Sequence, residues 1–340
     1  MAVIKDVAKL AAVSTGTVSK YLNNPDSLKD DTRKRVEAAI NTLQYKPSPL
    51  ARSMRTGKTN TLAVVVPDIS NPFYAEVYNA IRVSALQKGY TSILYTTEDN
   101  PDTLRAYLTE SSIYRADGLI LCFLDEDETL GQLLEAMEES TPIVLLGWDI
   151  SNTRFNSVAA DVFEGIYDAT RHLVEKGYQR IAYIGGPEKD KISKEKLNGF
   201  TRAIKDAGHE IQVELVHNDS YSLQSGYHSA RKLAMLLSMP GAIVAENDIL
   251  AIGCIKYFLQ RKIRIPEDIA VIGFDNIPLS AMYEPSLSTI SLPYGQMGSE
   301  AVKMILSRLE KPSLKNKQVI LKTSLVVRTS TDKNAPVAFE

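Results

Sequence analysis

At 340 residues, 44% of them hydrophobic and 24% charged, the chain has a globular composition and is long enough for more than one core. It has no apolar run of about 20 residues, which excludes a membrane-spanning helix, and residues 1–10 carry Lys5, Asp6 and Lys9 where an export signal needs an apolar stretch. The formal charge of −2 hides an asymmetry, since residues 1–60 carry +6 and the remaining 280 carry −8.

The basic head contains the first motif. Ile4, Val7, Ala8 and Ala11 recur at helical spacing, Ala12-Val13-Ser14 breaks the run, and Val18 and Leu22 then lie four apart on one face. Two short helices meeting across a tight turn are the helix-turn-helix pattern, with Ser14 placed to cap the second helix. The N-terminal residues of that second helix enter the major groove in such a motif, which nominates Thr15, Gly16, Thr17, Ser19, Lys20 and Asn23 for contact with DNA. A third helix over 30–44 buries Val36, Ile40 and Leu43 and has acidic residues in its first turn. The charge asymmetry fits phosphate binding by the head, while an acidic body keeps the duplex at the head. The alternative for such a head is a solvated helical cap on an enzyme.

Residues 47–58, PSPLARSMRTGK, follow. Pro47 and Pro49 oppose helix, and the short stretch after Pro49 becomes helical only when something holds it. It is either a hinge that folds on DNA or a flexible linker. As a hinge, its candidate contacts are Ser48, Leu50, Ala51, Arg52, Met54 and Arg55.

From residue 61 apolar runs alternate with helical patterns. Strands are expected at 62–66, 91–95, 118–122, 143–147, 180–185, 213–216, 242–245 and 269–274, and helices at 74–88, 102–113, 128–139, 196–207, 224–237 and 249–260. This alternation predicts parallel sheets covered by helices, and its length predicts two α/β lobes. Breaks near 156–161, 288–293 and 323 would be crossovers between them. The expected organisation is a headpiece over 1–46, a hinge over 47–60, a core over 61–330 and a polar tail over 331–340. In the core, one lobe takes about 61–158 and 291–321, and the other about 161–288 and 324–330.

Ligands of open α/β sheets bind at the carboxyl ends of strands. The groups found there are Ser70, Asn71, Phe73, Trp148, Asp149, Tyr221, Asn247 and Asp275. Aromatic faces with carboxylates and amides suit a polyol, whose C–H surfaces stack while its hydroxyls pair. Asn247 and Asp248 have an alternative role in capping the helix that follows. Lys196 closes a group of four lysines that begins at Lys189, which is either a site for an anionic ligand or a solvated segment.

The runs IKDVAKLAAVSTGTVSKYLNN and TRKRVEAAINTLQYKPSPLARSMRTGKTNTLAVVVPDISNPFY, then IAYIGG, KLNGF, AENDILAIG, DIAVIGFDN and LVVRTST, resemble transcription regulators of the lactose-repressor (LacI/GalR) family over nearly the whole chain. The resemblance implies a small all-α helix-turn-helix headpiece and a two-lobed α/β core of the type I periplasmic-binding-protein kind. It implies a cytoplasmic homodimer that binds a pseudo-palindromic operator, most simply as a repressor, under allosteric control by a small effector, here a sugar or sugar derivative. It also implies that paired hinge helices enter the minor groove, with Met54 as the wedge where leucine is commoner. Lys196 stands where many members have an effector-binding Arg, Lys20 where many have Arg, and Gly16 where many have Ala, so the family's operator sequence does not transfer.

No HExxH, GxSxG, P-loop or strand-linked GxGxxG is present, and His172, His209, His217 and His228 lack metal-ligand spacing, so neither enzyme, metal nor cofactor is expected. Cys122 and Cys254 are far apart in sequence, and reduced thiols are expected. A secreted binding protein would share the body but not the head. The tail has no leucine heptads, which leaves a dimer without a tetramerising coiled coil. Replacing Met54→Ala is expected to keep the fold and weaken specific operator binding by about 1–3 kcal/mol, read by binding and bending assays on one operator fragment.

Overall fold

The computed structural model describes residues 2–46, 58–109, 115–123, 128–147, 154–188 and 190–336. Two compact units are present, 1–59 and 60–340.

In the first unit, α1 (Ile4–Leu10), α2 (Thr15–Asn23) and α3 (Asp30–Leu43) enclose Val7, Ala8, Ala11, Val18, Val36 and Ala39. Ile4, Leu22, Ile40 and Leu43 pack around that centre half-buried. The Asp6 carboxylate accepts the Val3 amide at 2.9 Å, and Asp30 and Asp31 occupy the first turn of α3, where the helix dipole favours negative charge. Ala12 turns the chain between α1 and α2 at φ +52°.

The second unit holds two six-stranded sheets. The first contains β1 (Thr61–Val66), β2 (Thr91–Thr96), β3 (Gly118–Cys122), β4 (Ile143–Leu146), β5 (Asn156–Ala160) and, from far along the chain, β11 (Gln318–Leu321). Its order is β11-β5-β4-β3-β1-β2, with every pair parallel. The second contains β6 (Ile181–Gly185), β7 (Val216–Asn218), β8 (Ala242–Ala245), β9 (Ala270–Asp275), β10 (Ser288–Ser291) and β12 (Ser324–Val326). Its order is β12-β10-β9-β8-β6-β7, parallel except for β12 on β10. The chain therefore passes between sheets after β5, after β10 and between β11 and β12.

The central strands are buried throughout, as parallel strands covered on both faces must be. Helices α4 (Pro72–Gln87), α5 (Pro101–Thr109), α6 (Glu128–Glu138) and α12 (Tyr294–Glu310) belong to the first sheet's share of the chain. Helices α7 (Val162–Glu175), α8 (Lys191–Asp206), α9 (Leu223–Ala234), α10 (Asp248–Gln260) and the short α11 (Pro278–Met282) belong to the second's. Strands β5, β10, β11 and β12 and helices α7, α11 and α12 fall where no strand or helix was expected, and two expected elements shift their start by three residues or more. The 213–216 stretch forms a 3-10 turn, Val213–Leu215, before β7 starts at Val216. Helix α8 starts five residues early, at Lys191, because the Asp190 carboxylate accepts the Ile192 amide at 3.0 Å and caps it.

Helices α9 and α10 meet through glycine. A Cβ on Gly226 would lie 2.1 Å from the Leu250 carbonyl oxygen, and one on Gly253 would lie 2.3 Å from that of Leu223. Backbone on both sides leaves nothing that can rotate away. Gly253→Ala is expected to cost the core about 1–3 kcal/mol through forced separation of the helices, measured as a lower urea midpoint for the core.

Candidate functional site

The headpiece carries one candidate site. The Ser14 side chain accepts the Thr17 amide at 3.1 Å and so starts α2, with its oxygen also 3.0 Å from the Thr17 hydroxyl. Thr15, Gly16, Lys20 and Asn23 are exposed along α2, whereas Thr17 and Ser19 are half-buried. The Asn23 amide folds back onto the Ser19 carbonyl at 2.9 Å. A Cβ on Gly16 would meet only the Ser14 hydroxyl, at 3.5 Å, so its lack of a side chain leaves the outer face of the first turn low rather than answering a packing need. Arg33 and Arg35 pair with Asp26, Asp30 and Asp31, which leaves Lys20 as the exposed cation on α2. Ser48, Leu50, Ala51, Arg52, Met54 and Arg55 lie outside the described residues, as do the cleft candidates Trp148 and Asp149.

The other site is built at the carboxyl ends of the strands. On the second sheet, β8 delivers Glu246, which is fully buried. One of its oxygens accepts the Gly186 amide at 2.6 Å and the Tyr183 hydroxyl at 3.3 Å, and the other accepts Ser193 at 2.7 Å and Tyr221 at 3.1 Å. Tyr221 also donates to Asp190 at 2.5 Å and lies over Gly186, where a Cβ would strike its ring. Lys196 is buried; its ammonium donates to the Glu246 carbonyl at 3.0 Å and sits 4.2 Å above the centre of the Phe274 ring.

Asp275 ends β9 with φ +110° and is 6% exposed. No hydrogen bond or ion pair reaches its carboxylate among the described residues, and burial pushes its carboxyl well above the usual carboxylate range, opposed by the Lys196 charge. Its backbone is fixed on all sides. The Tyr294 hydroxyl donates to the Asp275 carbonyl at 2.8 Å, and the Asn276 amide donates to Thr289 at 3.2 Å. The Asn276 side chain joins Ser291 at 3.1 Å and Arg328 at 2.8 Å. Asp248 completes the frame by accepting the Ile277 amide at 2.9 Å and the Thr289 hydroxyl at 2.6 Å.

On the first sheet, an aromatic group follows β1 and β3. Phe73 lies 4.9 Å from Tyr74, 4.8 Å from Phe123 and 6.0 Å from Tyr294, ring centre to ring centre. Burial pushes the Tyr74 hydroxyl up, and Asp99, Asp275 and Asp190 add to the shift, so carboxylates of both sheets act on this ring. Ser70 and Asn71 are engaged locally: Ser70 bonds Asp68 with both its amide and its hydroxyl, and Asn71 caps α4 through the Phe73 amide at 3.1 Å. Asn247 caps α10 through the Leu250 amide at 2.8 Å. Of the residues nominated from sequence, Phe73, Lys196, Tyr221 and Asp275 thus gather around this site with side chains turned to its chemistry. Glu246, Ser193, Asp190, Tyr74, Phe123 and Tyr294 were not nominated. Glu246 directly precedes two nominated residues at the end of β8, and that position was its only signal.

Two descriptions fit the chain, "Bacterial regulatory proteins, lacI family" over residues 3–48 and "Periplasmic binding protein-like domain" over 170–331. The HTH-type transcriptional repressor PurR of Aliivibrio fischeri (strain MJ11) is 37% identical over 333 residues, covering 97% of this chain and 98% of the relative. The chain belongs to the lacI family of bacterial regulatory proteins. The lac repressor bound to ONPG in its repressed state superposes with a TM-score of 0.85 at 25% identity, over 97% of this chain and 99% of that one. The transcriptional regulator CelR in complex with cellobiose superposes with a TM-score of 0.73 at 28% identity, over 97% and 100%. This lacI-family member is a DNA-binding transcriptional repressor with a headpiece and a periplasmic-binding-protein-like core, and it is not an enzyme.

Burial pushes Asp248 up to about 7 from 3.8, against the opposing pull of its bonds from Thr289 and the Ile277 amide. The folded core therefore holds a proton that the unfolded chain releases, a contribution fully present below pH 3.8 and lost as pH rises through about 7. Asp248→Asn is expected to flatten this part of the stability profile, seen as a smaller difference between urea midpoints at pH 5 and pH 8.

Proposed function

We propose that this repressor acts in the cytoplasm as a homodimer on a pseudo-palindromic operator, and that a small polar effector, a sugar or sugar derivative, sets its affinity by binding between the carboxyl ends of the two sheets. The observation that carries the effector site is Asp275: a buried carboxylate without a donor, framed by five surrounding side chains, is costly to fold and is stabilised by a ligand that supplies donors. Hydroxyls supply them, and the Phe73–Tyr74–Phe123–Tyr294 group offers ring faces for C–H surfaces. The cellobiose held by CelR supports the carbohydrate class. In the headpiece, Thr15, Gly16, Thr17, Ser19, Lys20 and Asn23 take the major groove, and Ser48, Leu50, Ala51, Arg52, Met54 and Arg55 take the centre of the operator. Ser70, Asn71, Trp148, Asp149 and Asn247 complete the effector loops. Headpiece 1–46, hinge 47–60 and two-lobed core 61–330 divide these tasks.

If the effector prefers one separation of the lobes and operator binding prefers one too, each site changes the other's affinity by the same factor. Selection of bound sequences from a random DNA pool at fixed salt, repeated with sugars, sugar acids, sugar phosphates, nucleobases and nucleosides, tests the reading. A pseudo-palindrome enriched or depleted by a sugar is expected. A response confined to nucleobases would replace the effector class, and no enriched sequence under any condition would overturn the operator reading. Asp275→Asn, which tolerates the left-handed backbone, is expected to keep basal operator affinity and lose about 10-fold or more in effector affinity.

A further inference from the structure

Resting on that reading of the cleft, one property of the effector follows from the charges around it. The one buried cation there among the described residues, Lys196, is already engaged: its ammonium bonds the Glu246 carbonyl at 3.0 Å and covers the Phe274 ring at 4.2 Å. Lys191 and Lys194, its neighbours in the lysine group, are exposed on the outer face of α8. Arg328 is committed to Asn276, Ser280 and the Leu287 carbonyl. Facing these are the carboxylates of Asp190, Glu246 and Asp275, with Asp99 also acting on the Tyr74 ring from the first sheet. Glu246 and Asp190 accept donors of the protein, sharing the one Tyr221 hydroxyl hydrogen between them, whereas Asp275 has none among the described residues. Phe73, Tyr74 and Phe123 pack together nearby, and Lys196 over Phe274 shows that this environment holds a cation on an aromatic surface.

We propose that the effector bears a positive charge, a protonated amine among its hydroxyls, seated between the Asp275 carboxylate and the aromatic group of Phe73, Tyr74 and Tyr294, and that the site rejects anions. Lys196 is the site's internal counter-cation and not a receptor for phosphate or carboxylate. An amine supplies the donor that Asp275 lacks and brings the charge that offsets the acidic excess. A sugar phosphate or sugar acid would meet Asp275 and find no unengaged buried cation among the described residues.

The test uses the full-length chain with three matched probes, glucose, glucosamine and glucose 6-phosphate, below the pKa of the sugar amine, read by thermal shift and calorimetry. Glucosamine is expected to bind at least tenfold more tightly than glucose, and glucose 6-phosphate to give no shift. Without any ligand, Asp275→Asn is expected to raise the melting midpoint by about 2–4 °C, because folding no longer has to protonate a carboxyl that burial holds well above its usual range, and Lys196→Met to lower it. The inference is overturned if glucose 6-phosphate stabilises the protein and Lys196→Met abolishes that effect, or if Asp275→Asn lowers the ligand-free midpoint. If no hexose binds, the two ligand-free variants decide. Operator affinity measured beside these separates the two readings: a bound probe that leaves operator affinity unchanged refutes the proposed regulation and leaves charge selection standing.

Discussion

A single carboxylate at the end of β9 constrains the surrounding structure more than any other group. Asp275 is buried, carries a left-handed backbone and receives no donor among the described residues, three conditions that each raise the free energy of the folded state. They persist because the next two residues are over-determined. Asn276 is gripped through its amide and its side chain, Ile277 through its amide, and the Asp275 carbonyl itself is held by Tyr294. These partners come from α10, the run from β10 to the start of α12, and the segment after β12, so three separate stretches of chain converge on one turn.

That convergence has a mechanical side. Ser291 and Tyr294 flank the passage from β10 to α12, and Arg328 lies just beyond β12, so the turn that presents Asp275 is tied to one of the three passages between the sheets and to the strand that another delivers. A ligand that pulls on the Asp275 carboxylate therefore acts on the segments about which the lobes would close, without a separate relay through the sheet interiors. Coupling of this kind needs only that the two closure states differ in how well they seat the ligand. It places the energetic weight on β9 and its frame.

Much of the fold was legible because parallel strands are continuous apolar runs and amphipathic helices repeat at 3.6, and both signals survive in a single sequence. Strands β3 and β8 match their expected residues in full. The short strands β5, β10, β11 and β12 were read as passages or passed over, since three to five residues with Ser, Asn or Gln carry no strong period, and β5 and β11 pair across about 160 residues of chain. Glycine packing between α9 and α10 was equally silent: Gly226 and Gly253 look like weak points in helices until the neighbouring backbone is seen. In the site, Asp275, Tyr221 and Phe73 were read from strand-end position and residue type, and Lys196 from its lysine group and the family resemblance. Glu246 was missed because an acid beside Asn247 and Asp248 looks like helix-start chemistry, which the other two residues do perform.

The same contrast shows why residue type alone misjudges Lys196. Four lysines within eight residues suggest an anion site, yet helix geometry separates them: Lys191 and Lys194 are exposed while Lys196, on the face of α8 that carries Ser193, Gly199 and Phe200, is turned into the protein. Once inside, its charge has to be satisfied before any ligand arrives, and the Glu246 carbonyl and the Phe274 ring do that. An arginine at this place would carry five donors in a planar fork and could hold those partners with donors to spare, whereas a lysine has three. A lysine here therefore leaves fewer donors over for an acceptor-rich ligand than an arginine would.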